Sequence, residues 1–271
     1  LMSNELDKLH ETLVEILDYV VDICEKNGFQ YCLLYGTALG AHRHRGFIPW
    51  DDDLDIGMPR KDYEKFIEYM KKNPSKLFSL QDESNEINWF LTFCKVRKNN
   101  TVFIETMSDG LYSNNGLYID VFPLDYIDKN SGVFSWKRKY INYFKHVLKI
   151  QACPKLFLEK EGRIKYIIDR ILSFPAYLFS NKKLINYVNH LMISKMDESE
   201  MSFVVQYDES SQAAVMEKEI YLPFKKCEFE GKYYNVPNNI QEYLKRQYGD
   251  NYMQLPPVEQ RMTHKPIKIQ L

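Results

Sequence analysis

The sequence contains no run of about 18 apolar residues, the length that a membrane-crossing helix needs. Its first residues also lack the apolar core of a secretory signal. Cysteine is sparse and unpatterned: Cys24, Cys32, Cys94, Cys153 and Cys227 are odd in number, scattered, and include no Cys-x-x-Cys pair. Such spacing argues against a disulfide frame or a zinc site and for buried, reduced thiols in a cytoplasmic protein. Neither charge sign dominates. The net formal charge is −1, so no global field draws in nucleic acid and no nucleic-acid partner is expected. No internal repeat or low-complexity segment interrupts the chain, and 271 residues suit one large domain or a domain with a subdomain.

What is present is concentrated in one stretch, YGTALGAHRHRGFIPWDDDLDI, from Tyr35 to Ile56. The apolar run Cys32–Tyr35 empties into Gly36-Thr37 and then Ala38-Leu39-Gly40-Ala41. A strand followed by such a turn leaves backbone N–H groups at a helix N-terminus, a ready anion site. After the basic residues His42, Arg43, His44 and Arg45 and the stop at Gly46, four aspartates follow: Asp51, Asp52, Asp53 and Asp55. Strand alternation puts Asp53 and Asp55 on one face and points Leu54 and Ile56 into a core. Two carboxylates side by side raise one another's pKa unless a cation lies between them, and a hard divalent metal is the simplest cation. A calcium loop of the EF-hand type would need Gly at its sixth position and Glu at its twelfth; counting from Asp51, these are Ile56 and Asp62. A phosphate cradle beside a two-carboxylate strand points to chemistry on a nucleotide or sugar phosphate.

Around this block the periodicities predict a mixed α/β fold. Leu6, Leu9, Leu13, Leu17, Val20 and Cys24 recur at helical spacing up to Gly28. A strand is expected over Phe29–Tyr35, a short helix over Ala38–His44, then the acidic strand and a helix opened by Pro59. Leu77–Leu80 is a further strand. Trp89–Val96 and Val102–Glu105 read as a hairpin about Lys98-Asn-Asn100, and Leu117–Phe122 as a strand closed by Pro123. From 133 to 183 Lys and Arg recur among aromatic residues, Trp136-Lys-Arg-Lys139 foremost, predicting two or three helices before another at about Leu184–Met196. A hairpin, Phe224–Phe229 with Tyr233–Val236, turns at Glu230-Gly231. A last helix ends at Tyr248, and the tail Leu255–Leu271 is expected to run extended over the surface. The division this suggests is a catalytic core at 1–130, a basic and aromatic helical segment at 131–200, and a C-terminal part at 201–271 that packs back on the core.

The acidic block resembles the nucleotidyltransferase pattern, a Gly-Ser/Thr turn followed by a strand reading h-Asp-h-Asp/Glu-h. In its full length, GTALGAHRHRGFIPWDDDLDI, it is similar to the LicD family of phosphocholine transferases, to which the fukutin-type proteins are related. The likeness returns at Lys95-Val-Arg97, at Tyr118-Ile-Asp120-Val-Phe-Pro-Leu-Asp125, and at Tyr248-Gly-Asp250 followed by Leu255-Pro-Pro. It implies a nucleotidyltransferase-like mixed sheet flanked by helices, with the helical segment as an insertion. It also implies transfer of phosphocholine from CDP-choline to a sugar hydroxyl of a teichoic-acid, capsule or lipopolysaccharide precursor, with release of CMP.

On that resemblance Asp53, Asp55 and Asp120 would hold Mg²⁺ or Mn²⁺ and carry catalysis, with Asp125 a second candidate for the third acid. Gly36, Thr37, Arg43 and Arg45 would cradle the diphosphate. Lys95 and Arg97 share a strand face, and a guanidinium suits a bidentate grip on phosphate. Arg261 and His264 match polar positions of LicD-type tails. The partners implied are a CDP-linked donor and a lipid-linked glycan acceptor. The basic, aromatic helices then read as a peripheral contact with the inner face of the plasma membrane, or simply as helices with a solvated basic face. Two other readings stay open. One is transfer of ribitol- or glycerol-phosphate from a CDP-alditol. The other is an inactive, membrane-bound binding module.

Overall fold

The computed structural model describes residues 3–106, 108–127, 133–194, 201–208, 214–261, 263–264 and 266–271. It is a mixed α/β structure. The first helix, α1 (Ser3–Asn27), buries Leu9, Leu13, Leu17, Val20 and Cys24, the stripe that its periodicity picks out, and Gly28 ends it at φ +69°. Next come β1 (Cys32–Leu33), α2 (Tyr35–His44), β2 (Asp55–Pro59) and α3 (Arg60–Lys72). β3 (Phe78–Gln81), β4 (Cys94–Lys98), β5 (Val102–Ile104) and β6 (Tyr118–Ile127) complete the first half. The sheet runs β1-β2-β6-β4-β3, with β2 and β6 parallel and their other neighbours antiparallel.

Three local expectations change. The first strand is shorter than expected, and the following helix starts earlier. Tyr35 takes a left-handed φ of 43°, which turns the chain from strand to helix within one residue. β4 and β5 form no hairpin; β4 pairs with β3 and β6, and β5 with β11 (Lys268–Gln270) of the tail. Pro123 does not close its strand, since β6 continues to Ile127. The Asp120 N–H points toward β2, bonding the Leu54 carbonyl at 3.0 Å, so by alternation the position of the missing Pro123 N–H faces the other edge. On that edge the β4 ladder stops opposite Val121 and the ladder with β7 (Phe203–Val205) begins at Asp125. Proline falls in the gap, where no bond is lost.

The helical segment comprises α4 (Val133–Ala152), α5 (Pro154–Glu161), α6 (Arg163–Leu172), a 3-10 turn (Phe174–Leu178) and α7 (Asn181–Met192). Val147, Leu148, Leu184 and Ile185 pack there with Trp89 and Tyr112 in a second core. After β7 come β8 (Val215–Glu217), α8 (Lys218–Tyr221), the hairpin β9 (Lys225–Phe229) and β10 (Lys232–Val236), and α9 (Ile240–Tyr248). The hairpin turns at Glu230 and Gly231, both at positive φ, and Gly249 ends α9 at φ +84°. Phe229, Tyr234, Tyr243 and Leu244 join residues of α1 and the central strands in the main core. No disulfide joins any of the five cysteines; four are buried and Cys227 is half-buried.

Candidate active site

The site begins as one row across the sheet. Asp55 on β2 lies opposite Asp120 on β6, Asp120 opposite Lys95 on β4, and Lys95 opposite Gln81 on β3. Neighbouring strands are about 4.8 Å apart, so two carboxylates and an ammonium stand side by side on one face. Lys95 Nζ bonds Asp120 Oδ1 at 2.5 Å and lies 3.5 Å from the centre of the Tyr118 ring. That leaves Asp55 crowded by carboxylates. Burial, then the charges of Asp53, Asp120 and Asp51, hold its carboxyl well above the usual range.

The Gly-Thr turn explains its own spacing to the aspartates. Thr37 is buried in the first turn of α2, and its hydroxyl accepts the Asp55 N–H at 2.9 Å. Helix start and acidic strand are thus fastened together. A Cβ on Gly36 would stand 2.8 Å from Asp51 Oδ2, so the missing side chain is what admits the Asp51 carboxylate. Asp51 is the site residue that sequence reasoning left unassigned, although period two runs Asp51, Asp53, Asp55. Burial, then Asp53, pushes its carboxyl up to about 8. Gly36→Ala should fold normally, because only the end of a flexible side chain must move, but should lose turnover by roughly tenfold or more as Asp51 is displaced. Equal steady-state rates would take Asp51 out of the site.

Asp52 anchors the tail. It is buried and accepts the His264 N–H at 3.0 and 3.1 Å, and its Oδ1 lies 2.9 Å from His264 Nδ1. His264 Nε2 is then 3.6 Å from Asp53 Oδ2 and 3.9 Å from Glu105 Oε1. The bond to Asp52 leads in raising the imidazole to about 9, so it is a cation at neutral pH. Glu105 is a second residue the sequence did not single out; it accepts the Tyr118 hydroxyl at 2.6 Å.

The remaining basic residues are engaged elsewhere. Arg43 donates to the carbonyls of Tyr252 at 2.7 Å and Gln254 at 3.3 Å. Arg45 is exposed and 3.8 Å from Glu228. Arg97 lies buried on the Lys95 face, donating to Gln81 Oε1 and the Gly116 carbonyl. Arg261 stacks 4.2 Å over Trp50 and donates to the Pro256 carbonyl at 3.3 Å. Asp125 is held by Arg60 in a buried bidentate pair at 2.8 and 2.6 Å. The structure therefore brings together Gly36, Thr37, Asp53, Asp55, Lys95, Asp120 and His264, with Asp51 and Glu105 added.

Among the described residues no three His, Cys, Asp or Glu groups are arranged around a common point as metal ligands. Lys95 lies against Asp120 and His264 against Asp53. The donor chemistry nonetheless fits a hard divalent ion: all the groups are carboxylate oxygens, and burial raises the carboxyls of Asp53, Asp55 and Asp120.

These pKa directions give a signed stability prediction for the metal-free protein. Unfolded Asp titrates near about 3.9 and His near about 6.5. The folded state therefore holds a proton on Asp51 that the unfolded chain loses first, and likewise on His264. The stability gained is present at low pH and lost as pH rises, toward about 8 for Asp51 and about 9 for His264. Tm should fall between roughly pH 6 and pH 9, and His264→Ala should flatten the upper part of that curve. A Tm that rises over this range would contradict the assignment.

Beside the row is a cavity of about 610 Å³ whose lining includes Tyr35, Phe93, Phe122, Tyr207, Lys145 and Asp208. Phe122 lies two residues along β6 from Asp120, one same-face step, and the Phe93 ring centre is 5.7 Å from Lys95 Nζ. The Phe122 ring meets Phe93 at 4.2 Å and Tyr35 at 5.4 Å, edge-on in the latter pair. Asp208 pairs with Lys145 at 2.7 Å and accepts the Thr92 hydroxyl at 2.7 Å. Tyr35 is among the residues that line the cavity, and burial holds its phenol well above the usual range.

Residues 28–157 match the family described as the LicD/FKTN/FKRP nucleotidyltransferase domain. The chain is 27% identical over 267 residues to the lipopolysaccharide cholinephosphotransferase LicD of Haemophilus influenzae, covering 93% of this chain and 92% of that protein. Over 50 residues it is 46% identical to the ribitol 5-phosphate transferase FKRP of Homo sapiens, 18% of this chain and 10% of that one.

Proposed function

We propose that the chain, whose residues 28–157 match the LicD/FKTN/FKRP nucleotidyltransferase domain, moves phosphocholine from CDP-choline to a sugar hydroxyl of a cell-surface glycan precursor. One relative is named as a lipopolysaccharide cholinephosphotransferase and another as a ribitol 5-phosphate transferase. Choline as the head group is carried by one observation, the aromatic cavity lined by Phe122, one strand step from Asp120. A trimethylammonium has no N–H to donate and is gripped by ring faces and a nearby carboxylate. Tyr35, Phe93 and Phe122 offer the rings, and Asp208 the carboxylate.

In the reaction, the acceptor oxygen attacks the phosphorus that bears choline. The bond from that phosphorus to the bridging oxygen of CMP breaks, and CMP leaves. Asp120 receives the hydroxyl proton. Lys95 holds one of its oxygens, and burial raises its basicity above that of an ordinary carboxylate. The Lys95 ammonium, freed from Asp120 as that proton arrives, lies on the same face for the departing phosphate. Asp53, Asp55 and Asp120 would hold a Mg²⁺ or Mn²⁺ ion, which when bound supplies positive charge to the diphosphate. Thr37 keeps Asp55 at the mouth of α2, where the first-turn N–H groups favour an anion.

Transfer of ribitol- or glycerol-phosphate is the second reading. The stretch shared with the ribitol 5-phosphate transferase favours it, as do the polar groups Asn142 and Lys145 on the cavity wall. Among the described residues no helix is long and apolar enough to cross a membrane. We place the chain as a peripheral protein at the inner membrane face, where a lipid-linked acceptor would be met. Titration calorimetry with CMP, CDP-choline and CDP-ribitol in the presence of Mg²⁺ tests the head-group assignment. CDP-choline should bind roughly tenfold tighter than CMP through cation–π contacts. Equal affinity of CDP-choline and CMP would mean that the cavity does not hold the head group.

A further inference from the structure

Helix α6 is built inside out. Ile164, Ile167, Ile168 and Ile171 recur at three- and four-residue steps, yet they are 78%, 50%, 50% and 68% exposed. The opposite face, which meets the protein, is polar: Tyr166 and Asp169 are half-buried, Ser173 just beyond the helix is buried, and Asp169 Oδ2 lies 3.5 Å from His146 Nε2. A helix packing on a water-soluble core places its apolar stripe inward, and here the order is reversed. The following 3-10 turn continues the patch with Phe174 and Leu178, and Phe179 comes next, all more than half exposed. Such a continuous apolar surface marks a site of contact.

Two further observations select the occupant. The segment 163–183 carries Arg163, Lys165, Arg170, Lys182 and Lys183 against one acid, Asp169, and of these cations Lys165 is paired with Glu161. In addition, Phe179 borders a cavity of about 550 Å³ whose wall carries the rings of Tyr140, Tyr143, Phe144 and Tyr187 and the side chain of Lys183. The Tyr143 hydroxyl donates to the Leu172 carbonyl at 3.0 Å, which ties that wall to the end of α6. An apolar slot with a cation at its edge, continuous with an outward isoleucine stripe, suits a hydrocarbon chain beneath an anionic head group. We propose that α6 and the turn after it seat in the surface of an anionic bilayer, and that the aromatic cavity takes one lipid chain from it. This holds whichever CDP-linked donor the active site uses. The Trp136-Lys-Arg-Lys139 stretch is less suited to the seat, since Lys137 donates to the carbonyls of Met192 and Ile193 at the end of α7.

The test is co-sedimentation of the full chain with vesicles of phosphatidylcholine and phosphatidylglycerol, beside vesicles of phosphatidylcholine alone. The chain should pellet with the anionic vesicles, and less so as salt is raised. Ile167→Glu with Ile171→Glu should cut binding by roughly tenfold or more, since both side chains already face outward and the fold should not suffer. For the cavity, Tyr187→Trp in a Trp136→Phe background should be quenched by lipids brominated on their chains, beyond the quenching of the background protein. Equal pelleting of wild type and the double variant, no added quenching, or a wild-type dimer that the double variant dissolves would each overturn the proposal. CMP release from soluble donor should be spared in the double variant, so loss of vesicle binding and failure of the transferase reading give different results.

Discussion

Asp53→Asn and Asp55→Asn should each abolish turnover while the protein stays folded. Each exchange keeps the side-chain volume and would remove a hard anionic ligand from the proposed metal site. The loss of charge neutralisation at the diphosphate should add several kcal/mol to the barrier, a rate loss of roughly a thousandfold or more. Folding should not suffer. Asp53 and Asp55 both stand among other carboxylates with burial raising their pKa, so their ionised forms oppose folding in the metal-free protein. Thermal melts of metal-free protein at neutral pH should therefore give an equal or higher Tm for both variants. Asp55→Asn also leaves the backbone N–H to Thr37 intact, so the start of β2 stays in place. A variant that keeps more than a small fraction of the wild-type rate would show that these carboxylates do not hold the reacting phosphate.

The second large effect concerns the head group. Phe122→Ala should raise KM for CDP-choline by roughly tenfold to thirtyfold, the worth of a desolvated cation–π contact, with a smaller effect on kcat. Phe122 is the centre of the ring cluster, touching both Phe93 and Tyr35. Its loss should also narrow the discrimination between CDP-choline and CDP-ribitol, because an alditol makes no use of a ring face but needs its hydroxyls paired. Steady-state kinetics on both donors reads the two effects together. An unchanged KM for CDP-choline would exclude this cavity as the head-group site. Tyr35 is a less clean target, because its φ of 43° and the bond from its N–H to the Tyr243 hydroxyl make it part of the strand-to-helix turn.

The sequence showed much of this site because local rules governed it. Period two picked out Asp53 and Asp55, although only Asp55 lies within β2, the Gly-Thr turn marked the start of the helix, and Glu230-Gly231 marked a hairpin. What was not legible depended on distant partners. Val102–Ile104 has the composition of a hairpin arm, but its mate is Lys268–Gln270, more than 160 residues away. Arginine at 43, 97 and 261 suggested a phosphate grip, yet backbone carbonyls, Gln81 and the Trp50 ring take those guanidiniums. Residue type gives the donor; only the fold gives the acceptor. Asp51 was passed over because its place depends on an absent side chain, that of Gly36. Asp125 sits on the same strand as Asp120, but Arg60, from a helix 65 residues earlier, claims it. The inward polar face of α6 was likewise invisible, since periodicity reveals a stripe and not the direction in which it points.

CMP release from a panel of soluble donors tests the proposed chemistry most directly. Purified protein is incubated with Mg²⁺ and CDP-choline, CDP-ribitol or CDP-glycerol, with Asp55→Asn as the blank. CMP should form from CDP-choline with a kcat/KM orders of magnitude above that for either alditol donor, and not at all with Asp55→Asn. Faster release from CDP-ribitol or CDP-glycerol would contradict the choline assignment, and CMP from none of the three would mean that the fold serves as a binding module without transferase activity.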